Sequence, residues 1–261
     1  MTQIIKFICP KELLDFKEIY PVPISHNMPE WYKKLDMYAS KSKFITPDNN
    51  KTIKACMPFL DTLTSGYALK LCGDMKLIHN MIDPNKLPKA RDSFQVSAFS
   101  RMGDFLRNKD GHDINVNTQL ESHPTSQVKG NPAIENKKNQ PFHKILNPFI
   151  IKTPPGYSTL FVPPLNNRDD RFEIISGIVD TDTFELPINF PFIVNGDKYE
   201  ELDTTLKTGL IYAQAIPFKR DSWKMQVVER NVLQTTRSKL KFYSVFEKFY
   251  KKIWWHKKSF K

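Results

Sequence analysis

The sequence predicts a mainly β protein. Short apolar runs alternate with turn residues along most of its 261 residues, the spacing of hairpins rather than of helices. Nineteen prolines against nine glycines favour short extended segments, because proline breaks helix interiors and is tolerated at sheet edges and turns. A hydrophobic fraction of 40% with 12% aromatic residues is enough to build a core, which excludes global disorder.

In chain order, residues 2–9 (TQIIKFIC) read as an opening strand stopped by Pro10. The EWYKKLDMY segment after Pro29 reads as one or two helical turns anchored by Trp31. TIKACMPFL (52–60) and GYALKLC (66–72) read as strands separated by DTLTS, with MKLIHNM (75–81) as another. A strand FQVSAF (94–99) precedes a polar stretch at about 101–145, rich in Asn, Lys, Asp, Gly and Pro, which reads as a long loop insertion. Strands return at 147–153, 158–163, 172–180, 185–194 and 209–218. Pro187 and Pro191 within one of these runs predict an edge or bulged strand. From about residue 225, Leu233, Leu240, Tyr243, Phe246, Tyr250, Ile253 and Trp254 recur at three- and four-residue steps with lysines between them. That pattern predicts an amphipathic C-terminal helix, so the expected division is a β domain over 1–224 and a basic aromatic helix over 225–261.

Charge is concentrated at that end. Residues 230–261 hold ten basic residues and the single acid Glu247, a net +9 out of the whole chain's +11. A polyanion partner would therefore meet the tail rather than the whole surface. Lysines interleaved with aromatic residues, notably Lys248, Lys251, Lys252 and Lys258, suit single-stranded nucleic acid through stacking and phosphate neutralisation. They also suit a membrane surface, or a helix docked on protein by its aromatic side, the reading preferred for an apolar stripe.

Cys9, Cys56 and Cys72 are odd in number and lack C-x-x-C spacing, which points to free thiols in a reducing compartment. The six histidines show no metal-binding spacing, although His123 and His143 bracket the polar insertion. No cofactor is expected from the residue pattern. No run approaches the length of a membrane span, and the N-terminus lacks the continuous apolar core of a secretory signal.

The sharpest motif is GIVDTD at 177–182, which follows PPGYSTLF (154–161) and precedes KTGLIYAQAIPF (207–218). Asp180 and Asp182 can cap a tight hairpin through Asx-type hydrogen bonds, the preferred reading, or hold a water or a divalent ion such as Mg²⁺. The order and spacing of the three pieces resemble the dUTP pyrophosphatase and dCTP deaminase superfamily, which implies a β-clip core. By that resemblance Asp180 takes the water-orienting place, Asp182 the second aspartate and Glu185 the neighbourhood of the deaminase general acid and base. Tyr157, Arg168 and Phe184 fall where ligand contacts are expected. The sequence also departs from the superfamily. Ala68 replaces an aspartate, Thr183 a tyrosine, PPLNNR (163–168) a serine-rich phosphate segment, and the basic tail a glycine-rich arm.

A wider run from PEWYKKL at residue 29 to DSW at 221–223 is similar to an uncharacterised family of tailed phages. It implies a phage protein acting in the host cytoplasm or the virion. Three functions follow as expectations. The preferred one is a non-catalytic β-clip protein for binding or assembly, a homo-oligomer with virion proteins as partners. The second is a divergent deoxynucleotide hydrolase or deaminase using Asp180, Asp182 and Glu185. The third is a nucleic-acid-binding accessory protein acting through its tail.

Overall fold

A computed structural model of the chain describes residues 2–39, 50–80, 97–100, 105–107, 113–115, 120–122, 125–132, 143–195, 198–199, 201–244 and 250–261. The chain is mainly β and divides into two compact units. The first comprises Met1–Val22 and Gly66–Lys219, and the second Pro23–Ser65 and Arg220–Lys261.

The strands in chain order are β1 (Lys6–Ile8), β2 (Val22–Pro23), β3 (Tyr67–Lys70), β4 (Met75–Asn80), β5 (Ser97–Ser100) and β6 (Phe105–Arg107). They continue with β7 (Asp113–Asn115), β8 (Leu120–Ser122), β9 (His143–Ile145), β10 (Ile150–Lys152) and β11 (Tyr157–Val162). The last five are β12 (Phe172–Ile174), β13 (Gly177–Val179), β14 (Phe190–Val194), β15 (Glu201–Leu206) and β16 (Ile211–Lys219). The α-helices are α1 (Glu30–Lys34), α2 (Met57–Thr64) and α3 (Val232–Ser244).

The main sheet runs β13-β11-β16-β3-β2, with β11 and β16 in antiparallel register from Tyr157↔Lys219 to Val162↔Gln214. Other sheets run β12-β14-β9-β8 and β15-β4-β5, and β1 pairs with β10 and β6 with β7. Alternation along β11 explains the packing: Thr159 and Phe161 face inward, and Phe161 meets Phe190 edge-on at 5.3 Å. Phe190 in turn meets Tyr212 of β16 at 5.3 Å, and Phe172 meets Phe192 at 5.7 Å. Leu69, Leu77, Ile145, Ile151 and Leu206 complete a shared core of the first unit. A smaller cluster holds Leu13, Phe16, Ile19, Cys72 and Phe149.

Several expectations are corrected. Residues 52–60 do not form a strand: a 3₁₀ turn at Ile53–Ala55 leads into α2, which also absorbs the expected DTLTS turn. Pro58 lies in the first turn of α2, where proline has no hydrogen bond to lose. The buried member of α1 is Tyr32, stacked at 6.0 Å on Phe59, whereas Trp31 is half exposed. The run 172–180 is two strands, β12 and β13, in different sheets, broken at Ile175 and the exposed Ser176. Pro191 does not sit at an edge, because β14 lies between β12 and β9. Its carbonyl accepts from the Ile175 N–H at 2.8 Å, so its missing N–H falls just beyond the end of β12, where the ladder stops.

The tail differs most. Residues 220–231 are exposed and carry neither helix nor strand, α3 follows, and a π-helical turn spans Tyr250–Trp254. The expected stripe is not buried at its start, since Leu233 is 75% and Leu240 62% exposed. Phe246 of that stripe and Lys248 lie outside the described residues. Within the second unit the tail end is held by Asp61 of α2, which accepts from the Trp255 indole N–H at 3.0 Å and from Lys258 Nζ at 2.6 Å. Of the stretch 101–145, the described residues include β6, β7, β8 and β9. Among the described residues no helix is long and apolar enough to cross a membrane.

Candidate functional site: the GIVDTD hairpin

Gly156 occupies the left-handed region at φ +83°, which glycine adopts without steric cost. With Pro155 before it and the Tyr157 N–H donating to the Pro154 carbonyl at 3.2 Å, residues 154–157 form a proline–glycine turn entering β11. The GIVDTD hairpin lies over this turn, because β13 pairs antiparallel with β11 in the register Thr159↔Val179 and Phe161↔Gly177.

Three consecutive residues at the hairpin tip fasten the two segments. Asp180 Oδ1 accepts from Ser158 Oγ at 2.6 Å, and Asp182 Oδ2 accepts from the Gly156 N–H at 2.8 Å. Between them Thr181 is fully buried, with its hydroxyl 2.8 Å from those of both Thr153 and Thr159. Thr153 Oγ1 donates to the Tyr157 carbonyl at 3.2 Å, and a carbonyl can only accept. Thr153 must therefore accept from Thr181, and Thr181 from Thr159. Three hydroxyl protons serve three hydrogen bonds in one direction, so the buried chain is satisfied. The Thr183 and Phe184 N–H groups both donate to the Asp180 carbonyl, at 3.1 and 2.9 Å, and close the turn.

The structure brings Asp180, Asp182 and Tyr157 together at the entry of β11. Phe184 stands beside them, 39% exposed and contributing its backbone N–H. Glu185 turns to Lys152 of β10, 3.7 Å away, rather than to either aspartate. Arg168 is not brought to the site. It follows the far end of β11, beyond Val162, and pairs with Glu173 of β12 at 3.2 Å. Lys251, Lys252 and Lys258 lie in the second unit, all exposed, with Lys258 engaged by Asp61. His143 of β9 stacks on Phe192 at 6.0 Å, whereas His123 lies outside the described residues.

Asp180 stands at the surface with one carboxylate oxygen committed to Ser158. Among the described residues no group of three or more His, Cys, Asp and Glu side chains could hold a metal ion. Burial pushes the Cys72 thiol up to about 12 and raises Cys9 as well, which leaves little thiolate at neutral pH.

Sequence reasoning missed Thr153, Ser158, Thr159 and Thr181. The available signal was a hydroxyl at the inward position of a strand, Thr159 in alternation with Phe161, opposite a second hydroxyl flanked by two aspartates. It missed Asp61 as well, since the contact joins residues 194 positions apart. Neither any protein-family model nor any curated protein sequence matches the chain.

Proposed function

We propose that this protein is a non-catalytic binding or assembly scaffold on a β-clip-type core, made in a phage-infected cell or carried in the virion. The observation that carries the reading is the clasp, in which Asp180 and Asp182 are acceptors for the turn at 154–158. A water-activating carboxylate has to aim a lone pair at the attacking water, whereas these carboxylates accept from backbone and hydroxyl donors of their own chain. The missing phosphate segment at 163–168 points the same way, because two prolines there remove donors and Arg168 is engaged by Glu173.

The test is turnover of the deoxynucleoside triphosphates, with and without Mg²⁺, read by product chromatography. The proposal expects no hydrolysis and no deamination above buffer. Product that forms with the wild-type chain and vanishes in Asp180→Ala would overturn it in favour of a divergent nucleotide hydrolase or deaminase.

A specific observation favours a second reading for the tail. Lys251 and Lys252 are exposed beside Tyr250 and Trp254, which are 38% and 45% exposed. Stacking surface next to positive charge suits a single strand. Steeply salt-dependent retention of single-stranded DNA, lost on deleting residues 239–261, would support a nucleic-acid role. Retention unchanged by that deletion would dismiss it.

A further inference from the structure

The residues that leave β16 carry an unusual surface. Trp223 is 90% exposed, Met225 87%, Val227 87% and Val228 69%. Scattered apolar residues are ordinary on a protein surface, but here large ones fall at 223, 225 and 227 with Lys224 and Gln226 between them. That is the period of a strand with one apolar side, in a segment that forms neither strand nor helix. The arm has β-forming side chains without a sheet to join.

The first unit offers an open edge. β13 ends the main sheet, and among the described residues β11 is its one strand neighbour. Exposed apolar side chains mark this edge and the chain that follows it: Ile178 at 61% and Leu186 at 65%. The hairpin adds Asp180 and Asp182, two negative charges, beside the Glu185–Lys152 pair, whereas the arm carries Arg220, Lys224 and Arg230 against Asp221 and Glu229. Pairing of two arms with each other is disfavoured, because antiparallel alignment about Met225 would set Asp221 against Glu229 and Arg220 against Arg230. A net charge of +1 over these eleven residues also makes the arm a poor polyanion site.

We propose that residues 222–228 of one copy add as a strand to the β13 edge of a second copy, with Trp223, Met225 and Val227 covering the apolar surface beside Ile178. Strand addition supplies main-chain hydrogen bonds, and the alternate side chains supply selectivity. A specific interface needs about 800 Å² from each partner. Trp223 alone can bury about 200 Å², and reciprocal exchange makes each copy both donor and acceptor.

The inference rests on the assembly reading for its purpose, and sedimentation velocity tests it separately. The full chain is compared with Trp223→Ser/Met225→Ser/Val227→Ser and with Ile178→Lys, from low to high micromolar concentration. The wild-type chain is expected to self-associate, and each variant to do so at least tenfold more weakly, with unchanged far-UV circular dichroism. A wild-type chain that stays monomeric throughout, or an arm or edge variant that associates as well as wild type, overturns the proposal. Nucleotide turnover on the same preparations distinguishes the two failures. A monomer inert toward nucleotides sinks the arm exchange alone, and an active oligomer sinks the scaffold reading alone.

Discussion

Replacing Thr181 by valine keeps the shape of the side chain and removes the middle of the buried hydroxyl chain. Two hydrogen bonds are lost, and Thr159, itself fully buried, is left with an O–H that has no acceptor. A hydrogen bond contributes about 1 kcal/mol net and an orphaned buried donor costs about 1–3 kcal/mol, so Thr181→Val should destabilise by about 2–4 kcal/mol. Thr159→Val removes only the head of the chain and leaves no donor stranded, so about 1 kcal/mol is expected. The double variant then costs less than the sum of the singles by about 1–3 kcal/mol, because the stranded proton is gone. Urea unfolding at neutral pH measures all three, provided the denaturant slopes agree. Equal losses for the two single variants, or strict additivity in the double, would refute the direction assigned to the protons.

Other expectations follow from single contacts. Gly66 sits at φ +79°, and a Cβ there would press on the Ala215 carbonyl across the β3–β16 pair. Gly66→Ala should therefore cost more than about 3 kcal/mol, read by the same unfolding assay. Asp74 accepts from Lys207 Nζ at 2.6 Å and from the Thr208 N–H at 2.8 Å, and the Lys207 contact does most to hold its carboxyl below the usual range. A depressed folded-state value adds stability that is complete above the unfolded value, about pH 4, and is lost as pH falls through the folded one. Asp74→Asn should flatten that acid limb in a pH series of thermal melts. Asp61→Ala strands the Trp255 indole N–H and releases Lys258, so tryptophan emission should shift to the red and trypsin should cut faster among Lys251, Lys252, Lys257 and Lys258.

The strands legible in the sequence are those with short apolar runs set off by turn residues, as in YSTLFV and IYAQAIPFK. β15 escaped notice because ELDTTL is polar by composition, and it is defined by its full-length pairing with β4. Met57–Thr64 is helical although TIKACMPFL is apolar with β-branched residues at its start, a local preference that gives way to the proline start and to the stacking of Phe59 on Tyr32. The tail helix is shorter than its three- and four-residue periodicity suggests, because the preceding WKMQVV alternates with a period of two and carries no helix. At the site, both aspartates were legible as residues of a tight turn, but the sequence suggests Asx-type capping of their own hairpin, whereas their carboxylates reach across to the turn at 154–158. Their donors were not legible, because Gly156 and Ser158 lie more than twenty residues away and only the register of β11 on β13 brings them near.

Whether Asp180 and Asp182 serve structure rather than chemistry is tested most directly by amide hydrogen exchange at Gly156. The bond from its N–H to Asp182 should protect it in the wild-type chain. Asp182→Ala should speed exchange there by roughly 5- to 150-fold, the equivalent of about 1–3 kcal/mol. Asp182→Asn, which keeps an acceptor oxygen, should stay near wild type. A Gly156 amide that exchanges at an unprotected rate in the wild-type chain, or that is indifferent to Asp182→Ala, would contradict the clasp and return both carboxylates to the candidates for catalysis.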